Sequence, residues 1–138
     1  MKKISMMLLL TLLLMLSACQ SIHYMNVETD FDKGTKGYIK MVRWNELDNA
    51  PLSFVDEPLR EEFAKRVKMR REVQIADYRV KRKDCRPETG EGEVTVEWDY
   101  YIPPSIKLKT VEDAQKWRYI EKLEKQGWML MTLLPEFK

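Results

Sequence analysis

The chain has 138 residues, 44% hydrophobic and 33% charged, and its net charge of +2 comes from 24 Lys and Arg against 22 Asp and Glu. Lys2 and Lys3 account for that whole excess, so the body of the protein lacks the basic surplus of a nucleic-acid binder, and no nucleic-acid partner is expected. There are one His and two Cys, and with Cys19 assigned below to another role, the remaining one His and one Cys cannot assemble a zinc site of the usual His/Cys type. No G-x-S-x-G and no phosphate-cradling glycine loop occurs, so no catalytic, metal-binding or cofactor-binding residue is assigned.

The chain opens on the basic Met1-Lys2-Lys3 and continues into an apolar run from Ile4 to Leu16, broken by Ser5 and Thr11. That run is well short of the ~20 apolar residues that span a bilayer as a helix. A basic start, a short apolar stretch and a small-residue exit predict a secretory signal peptide over residues 1–18. The exit, Leu16-Ser17-Ala18-Cys19, resembles the lipobox of bacterial lipoproteins. The resemblance implies cleavage before Cys19, acylation of its sulfur by palmitate-type chains and acylation of the new amine. Each buried methylene contributes about 0.8 kcal/mol, and two or more chains hold a protein on its membrane. Gln20 and Ser21 follow in place of an Asp retention signal, which implies the periplasmic face of the outer membrane, with the inner membrane as the alternative. A plain secretory signal ending in a chance cysteine is the competing reading.

About 120 residues remain, enough for one domain with one core. With Cys19 lipidated, Cys85 stands alone, as a buried, reactive or intermolecular thiol. Residues 19–34 read as the lipidated cysteine and a flexible tether, reaching roughly 20–25 Å, although Ile22 to Val27 could form a short strand or helix. A helix is expected from Thr35, where Tyr38, Met41, Val42 and Trp44 to Leu47 recur at helical spacing until Asn49-Ala50-Pro51. A second helix is expected after Asp56 as cap, with Pro58 in its first turn and Leu59, Phe63 and Val67 on one face. Val73, Ile75, Tyr78 and Val80 suggest a strand, "RPETGEGE" a loop, and "EVTVEWDYYIPP" the clearest strand, with Val94, Val96, Trp98 and Tyr100 on one side. "GWMLMTLLPEF" reads as a last strand stopped by Pro135. Residues 107–127 are ambiguous. Val111, Ala114, Trp117, Ile120 and Leu123 step by three, and Thr110 with Asp113 forms a capping-box pattern, so the local signal favours a helix.

Two helical segments, then strands, then the ending Gln115, Trp117, Tyr119, Gly127, Trp128 and Leu130 resemble the NTF2-like (cystatin-like) superfamily over residues 36–137. "IADYRVKRK" looks like that family's first long strand. The resemblance implies an α+β domain over residues 35–138, its N-terminal helices packed in the hollow of a bent antiparallel sheet. It also implies a strand over 107–119, and strand is the expectation adopted there. Enzymatic members carry an Asp or an Asp/His pair inside the cone. This domain has no His past residue 23, and its strand acids Asp77, Asp99 and Asp113 are expected on the solvated face.

Charge is unevenly placed. Lys65, Arg66, Lys68, Arg70, Arg71, Lys81, Arg82 and Lys83, with Arg79 and Arg86, outnumber the acids around them, and Glu88 to Asp99 is acidic. These runs could attract each other across a hairpin; the eight named first could instead form a face towards anionic lipid headgroups. The functional expectation is a membrane-anchored, non-catalytic binding or protein-interaction module of the envelope, its partner an envelope protein or a small apolar ligand, with homodimerisation through the sheet as an option. The alternatives are a small isomerase- or dehydratase-like enzyme using the cone, and an envelope-assembly accessory docking on anionic lipid.

Overall fold

The computed structural model describes residues 2–48, 54–122 and 125–138. Helix α1 runs without interruption from Lys2 to Arg43. Its last turn carries Lys40 and Arg43, which suit the negative end of a helix. Asn45 adopts a left-handed φ of 57°, and the Glu46 N–H donates to the Met41 carbonyl at 2.9 Å, which closes the end.

The flexible tether expected over residues 20–34 is corrected: those residues are helical, and Val27 and Phe31 lie in the core. Val27, Phe31, Thr35, Tyr38 and Val42 follow one another at spacings of three and four, which draws one buried stripe along α1. Trp128 fastens the stripe to the sheet, its indole N–H donating to the Val27 carbonyl at 2.9 Å. The polar residues between these positions hid the pattern. Among the described residues no helix is long and apolar enough to cross a membrane.

A 3-10 turn, Glu57–Leu59, leads into α2, Arg60–Met69. The expected side-chain cap at Asp56 is absent. Backbone bonds set this start instead: the Leu59 N–H donates to the Asp56 carbonyl at 2.9 Å, and the Asp56 N–H donates to the Leu130 carbonyl at 3.0 Å. Phe63 and Val67 are buried and Leu59 partly so, as their spacing predicts.

Four antiparallel strands follow in sequential order: β1 (Gln74–Arg86), β2 (Glu91–Tyr101), β3 (Lys109–Lys122) and β4 (Lys125–Leu130). The fold is α+β, with the helices N-terminal to an open sheet and packed on one of its faces. In β2, Val94, Val96, Trp98 and Tyr100 are all buried while the residues between them are half-exposed. β3 is a strand, as expected against its local helix signal. Its inward row is Val111, Asp113, Gln115, Trp117 and Tyr119, and two polar members in that row hide the period of two. β4 ends at Leu130, earlier than Pro135 suggested, and the chain then crosses towards α2, where Arg66 Nη1 donates to the Leu134 carbonyl at 2.7 Å.

Among the described residues β1 is an edge strand paired only with β2, and it carries an extra residue at Ala76 and another at Lys81. Gly92 of β2 lies under α1 so closely that an added Cβ would sit 2.7 Å from Cζ of Phe31. Phe31 also packs on Trp128 with ring centroids 4.7 Å apart, so this close approach seats the helix on the sheet.

Candidate functional site

The fold gathers a polar cluster inside the apolar layer. Asp113 is 2% exposed, and Gln115 beside it on the same row equally so. Asp113 Oδ2 accepts from Gln115 Nε2 at 2.7 Å and from Trp98 Nε1 at 3.3 Å, and Gln115 Oε1 accepts from Trp117 Nε1 at 3.1 Å. Burial pushes the Asp113 carboxyl up to about 6, and the two donors only partly offset this. Burial and the nearby Asp113 hold the Tyr38 hydroxyl well above its ordinary value, and burial lowers Arg70. Arg70 Nη2 donates to the Val42 carbonyl at 3.0 Å, and its guanidinium lies 5.1 Å from the Phe137 ring. Among the described residues the Tyr38 hydroxyl and Arg70 Nε and Nη1 have no hydrogen-bond partner.

The expectation that all three strand acids are solvated holds for Asp77 and Asp99 and is corrected for Asp113. Asp99 meets Arg79 at 2.7 Å and accepts from Thr110 Oγ1 at 2.7 Å, and the Arg79 contact lowers its carboxyl. Asp77 is exposed and accepts from the Tyr78 N–H at 2.8 Å. The inward position of Asp113 had a signal in the sequence, the row Asp113, Gln115, Trp117 at spacing two. A carboxyl titrating near 6 in a dry site can hold or release a proton near neutrality. Asp113, however, is walled in by indoles and an amide, and it lines none of the four surface recesses described in this structure.

The basic residues do not form one open face. Arg70 is interior, which removes it from any lipid-facing set. Lys65 pairs with Glu61 and Glu62, Arg66 with Glu136, and Arg71 with Asp48. Arg82 pairs with Asp84 and Glu93, and Lys83 with Asp32 at 2.5 Å. Arg79 meets Glu97 at 2.5 Å across the β1–β2 hairpin, and Arg86 reaches Glu91 and Glu93. The acidic and basic runs therefore meet each other, strand to strand. Lys68 and Lys81 are exposed.

Cys85 is a free, half-buried thiol on the inward side of β1. Burial, then Glu28, Asp32 and Asp84, push it up to about 11, so it stays protonated and unreactive at neutral pH. Cys19 lies within α1.

A second feature opens where α1 ends beside the edge of the sheet. A groove of about 360 Å³ runs between the helix, through Lys36, Ile39, Lys40 and Arg43, and the strand, through Tyr78 and Val80. Trp44 closes one end and is 62% exposed; Tyr78 and Val80 are 39% and 46% exposed. The two bulges cause this exposure. They keep Tyr78 on the inward face, where its ring meets Trp98 at 5.5 Å, but at an edge that the helix does not reach across. Arg43 Nη1 donates to the Ile75 carbonyl on that edge, and its guanidinium lies 5.1 Å from the Trp44 ring. This groove was not legible in the sequence, where Trp44 reads as part of a helical apolar face.

Comparison with family models, with curated proteins and with solved structures returns no match to this chain.

Proposed function

We propose that this protein is a bacterial lipoprotein, held through Cys19 on the periplasmic face of the outer membrane, whose single NTF2-like domain serves as a non-catalytic binding module. The lipobox Leu16-Ser17-Ala18-Cys19 supports the anchor. The order of helices and antiparallel strands is compatible with the family resemblance. The observation that carries the binding reading is the filled interior: Phe31, Tyr38, Phe63 and Trp98 are fully buried against the sheet, leaving Asp113 enclosed, while large apolar side chains stand exposed around the α1–β1 groove. An enzyme of this fold needs the reverse, an open cone with a reachable acid.

Two experiments test this. Cys19→Ser should abolish incorporation of labelled palmitate and release the protein from the membrane fraction; unchanged labelling would overturn the anchor. In cells, Asp113→Asn should leave the envelope phenotype of the wild type intact. The second reading, an enzyme, is favoured by one observation, the Asp113 carboxyl near 6. It would stand if Asp113→Asn reproduced the phenotype of a deletion while the protein remained folded and abundant.

A further inference from the structure

We propose that the α1–β1 groove binds an extended, acidic segment of a partner protein, which adds to the edge of β1 as a fifth strand and sets its apolar side chains against Tyr78, Val80 and Trp44. The inference rests on the binding-module reading and names its site and ligand class.

Three observations converge. The first is backbone. Among the described residues β1 pairs only with β2, so beyond the Ile75 carbonyl, which Arg43 occupies, its outer edge presents N–H and C=O groups, and Asp77 to Lys83 is an unbroken run of exposed residues. The bulges at Ala76 and Lys81 leave Asp77–Val80 as a regular stretch between them. So short a window resists indiscriminate sheet growth yet suffices to seat a strand whose alternate residues point inward.

The second is apolar surface. Alternate side chains of an added strand would point towards the helix, where the groove offers Ile39, Trp44, Tyr78 and Val80. An aromatic anchor flanked by aliphatic contacts is the arrangement that concentrates binding energy at peptide sites.

The third is charge, which selects the occupant. Lys36, Lys40 and Arg43 rim the helix side, and no described carboxylate lies within ion-pair distance of any of them. This separates them from the cations of the β1–β2 hairpin, where Arg79, Arg82, Lys83 and Arg86 are all paired. A second copy is the wrong ligand, because its own β1 brings Lys81, unpaired among the described residues, Arg79, Arg82 and Lys83 already engaged by acids of their own chain, and Asp77 as the one acid of that run, which leaves nothing to match the rim. An acidic segment matches the rim.

The test uses the full chain in non-ionic micelles and two fluorescent peptides, Glu-Val-Glu-Phe-Glu-Val-Glu-Val and its counterpart with Lys in place of every Glu. Fluorescence anisotropy should show saturable binding of the acidic peptide only. Trp44→Ala and, separately, Lys40→Glu should each weaken it by about tenfold or more, with far-UV circular dichroism unchanged. Both side chains are exposed, so at least one variant will fold. No binding, equal binding of both peptides, or unweakened binding by both variants would overturn the proposal. So would displacement of the peptide by dihexanoyl phosphatidylglycerol but not by the choline lipid, which would make the groove a headgroup site. These readouts do not involve Asp113, so failure here leaves the binding-module reading to its own test.

Discussion

Replacing Asp113 by Asn probes the physics of the interior directly. Burial raises this carboxyl from 3.8 to about 6. In the unfolded chain it ionises near its ordinary value. Between roughly pH 4 and pH 6 the unfolded state has therefore lost a proton that the folded state keeps. Stability falls as pH rises through that window, by up to about 1.4 kcal/mol per unit, and levels off above the folded value. The whole effect is about 3 kcal/mol. Tyr38 and Arg70 are the other ionisable groups in this interior, and both keep their charge states across the window. Asp32, Asp99 and Glu136 are held low by Lys83, Arg79 and Lys138, and their contribution has the opposite sign. Those three are common to wild type and variant, so the difference between the two proteins isolates Asp113. Asn keeps the shape and removes the charge, but weakens the bonds from Trp98 and Gln115 by about 1 kcal/mol. Asp113→Asn should thus be less stable than wild type by about 1 kcal/mol near pH 4 and more stable by about 1–2 kcal/mol near pH 8. Urea denaturation followed by tryptophan fluorescence at several pH values measures this, since Trp98, Trp117 and Trp128 are buried. Parallel stability curves for the two proteins, with no change of sign, would refute the reasoning.

Phe31→Ala should destabilise by about 3–5 kcal/mol, as for other buried Phe, in the same urea assay; a flexible tether at this position would show no loss. Gly92→Ala should cost about 1–3 kcal/mol, because the new Cβ collides with the Phe31 ring, and combining it with Phe31→Leu should recover part of that loss. Cys85, with its thiol near 11 in place of 9.0, should react with iodoacetamide at pH 8 about tenfold more slowly than a free thiol, the scarcer thiolate being partly offset by its greater nucleophilicity, and at the ordinary rate once urea unfolds the chain.

The parts of the fold that were legible in the sequence are those where one physical signal dominated. β2 alternates apolar and polar residues without exception from Val94 to Tyr100, and the structure follows it. α2 was legible from Phe63 and Val67. β3 was legible only through resemblance. Its buried row contains Asp113 and Gln115, so hydrophobicity alone found a spurious step of three in Val111, Ala114 and Trp117, and sheet pairing with β2 and β4 decided the outcome. α1 was missed over residues 20–34 because Thr35 belongs to its buried stripe and the intervening residues are almost all polar. The interior role of Asp113 could have been suspected from its place in the row with Trp117. The α1–β1 groove could not, because it depends on where two bulges turn an edge strand, and Ala76 and Lys81 carry no local mark of a bulge.

The length of α1 ties the proposed anchor to the proposed docking site. A flexible tether would let the domain turn freely beneath its membrane. Instead, among the residues whose burial is described, the helix first enters the core at Val27, only about 12 Å along the axis from Cys19. Trp44 lies at the opposite end, about 37 Å from Cys19 along the same axis. With Cys19 lipidated, the helix works as a stalk that is itself part of the core, since Val27, Phe31, Tyr38 and Val42 bind it to the sheet. The groove at Lys36–Trp44 then sits at the far end of the same helix from the proposed anchor, and its orientation relative to that helix is set by packing, not by chain statistics. Breaking the stalk outside the core, for example with Gly at Ile22 and Met25, both of them exposed, should leave folding and peptide affinity in micelles unchanged while loosening the domain on its membrane. A drop in peptide affinity from that change would mean that the stub, and not the groove alone, contributes to the site.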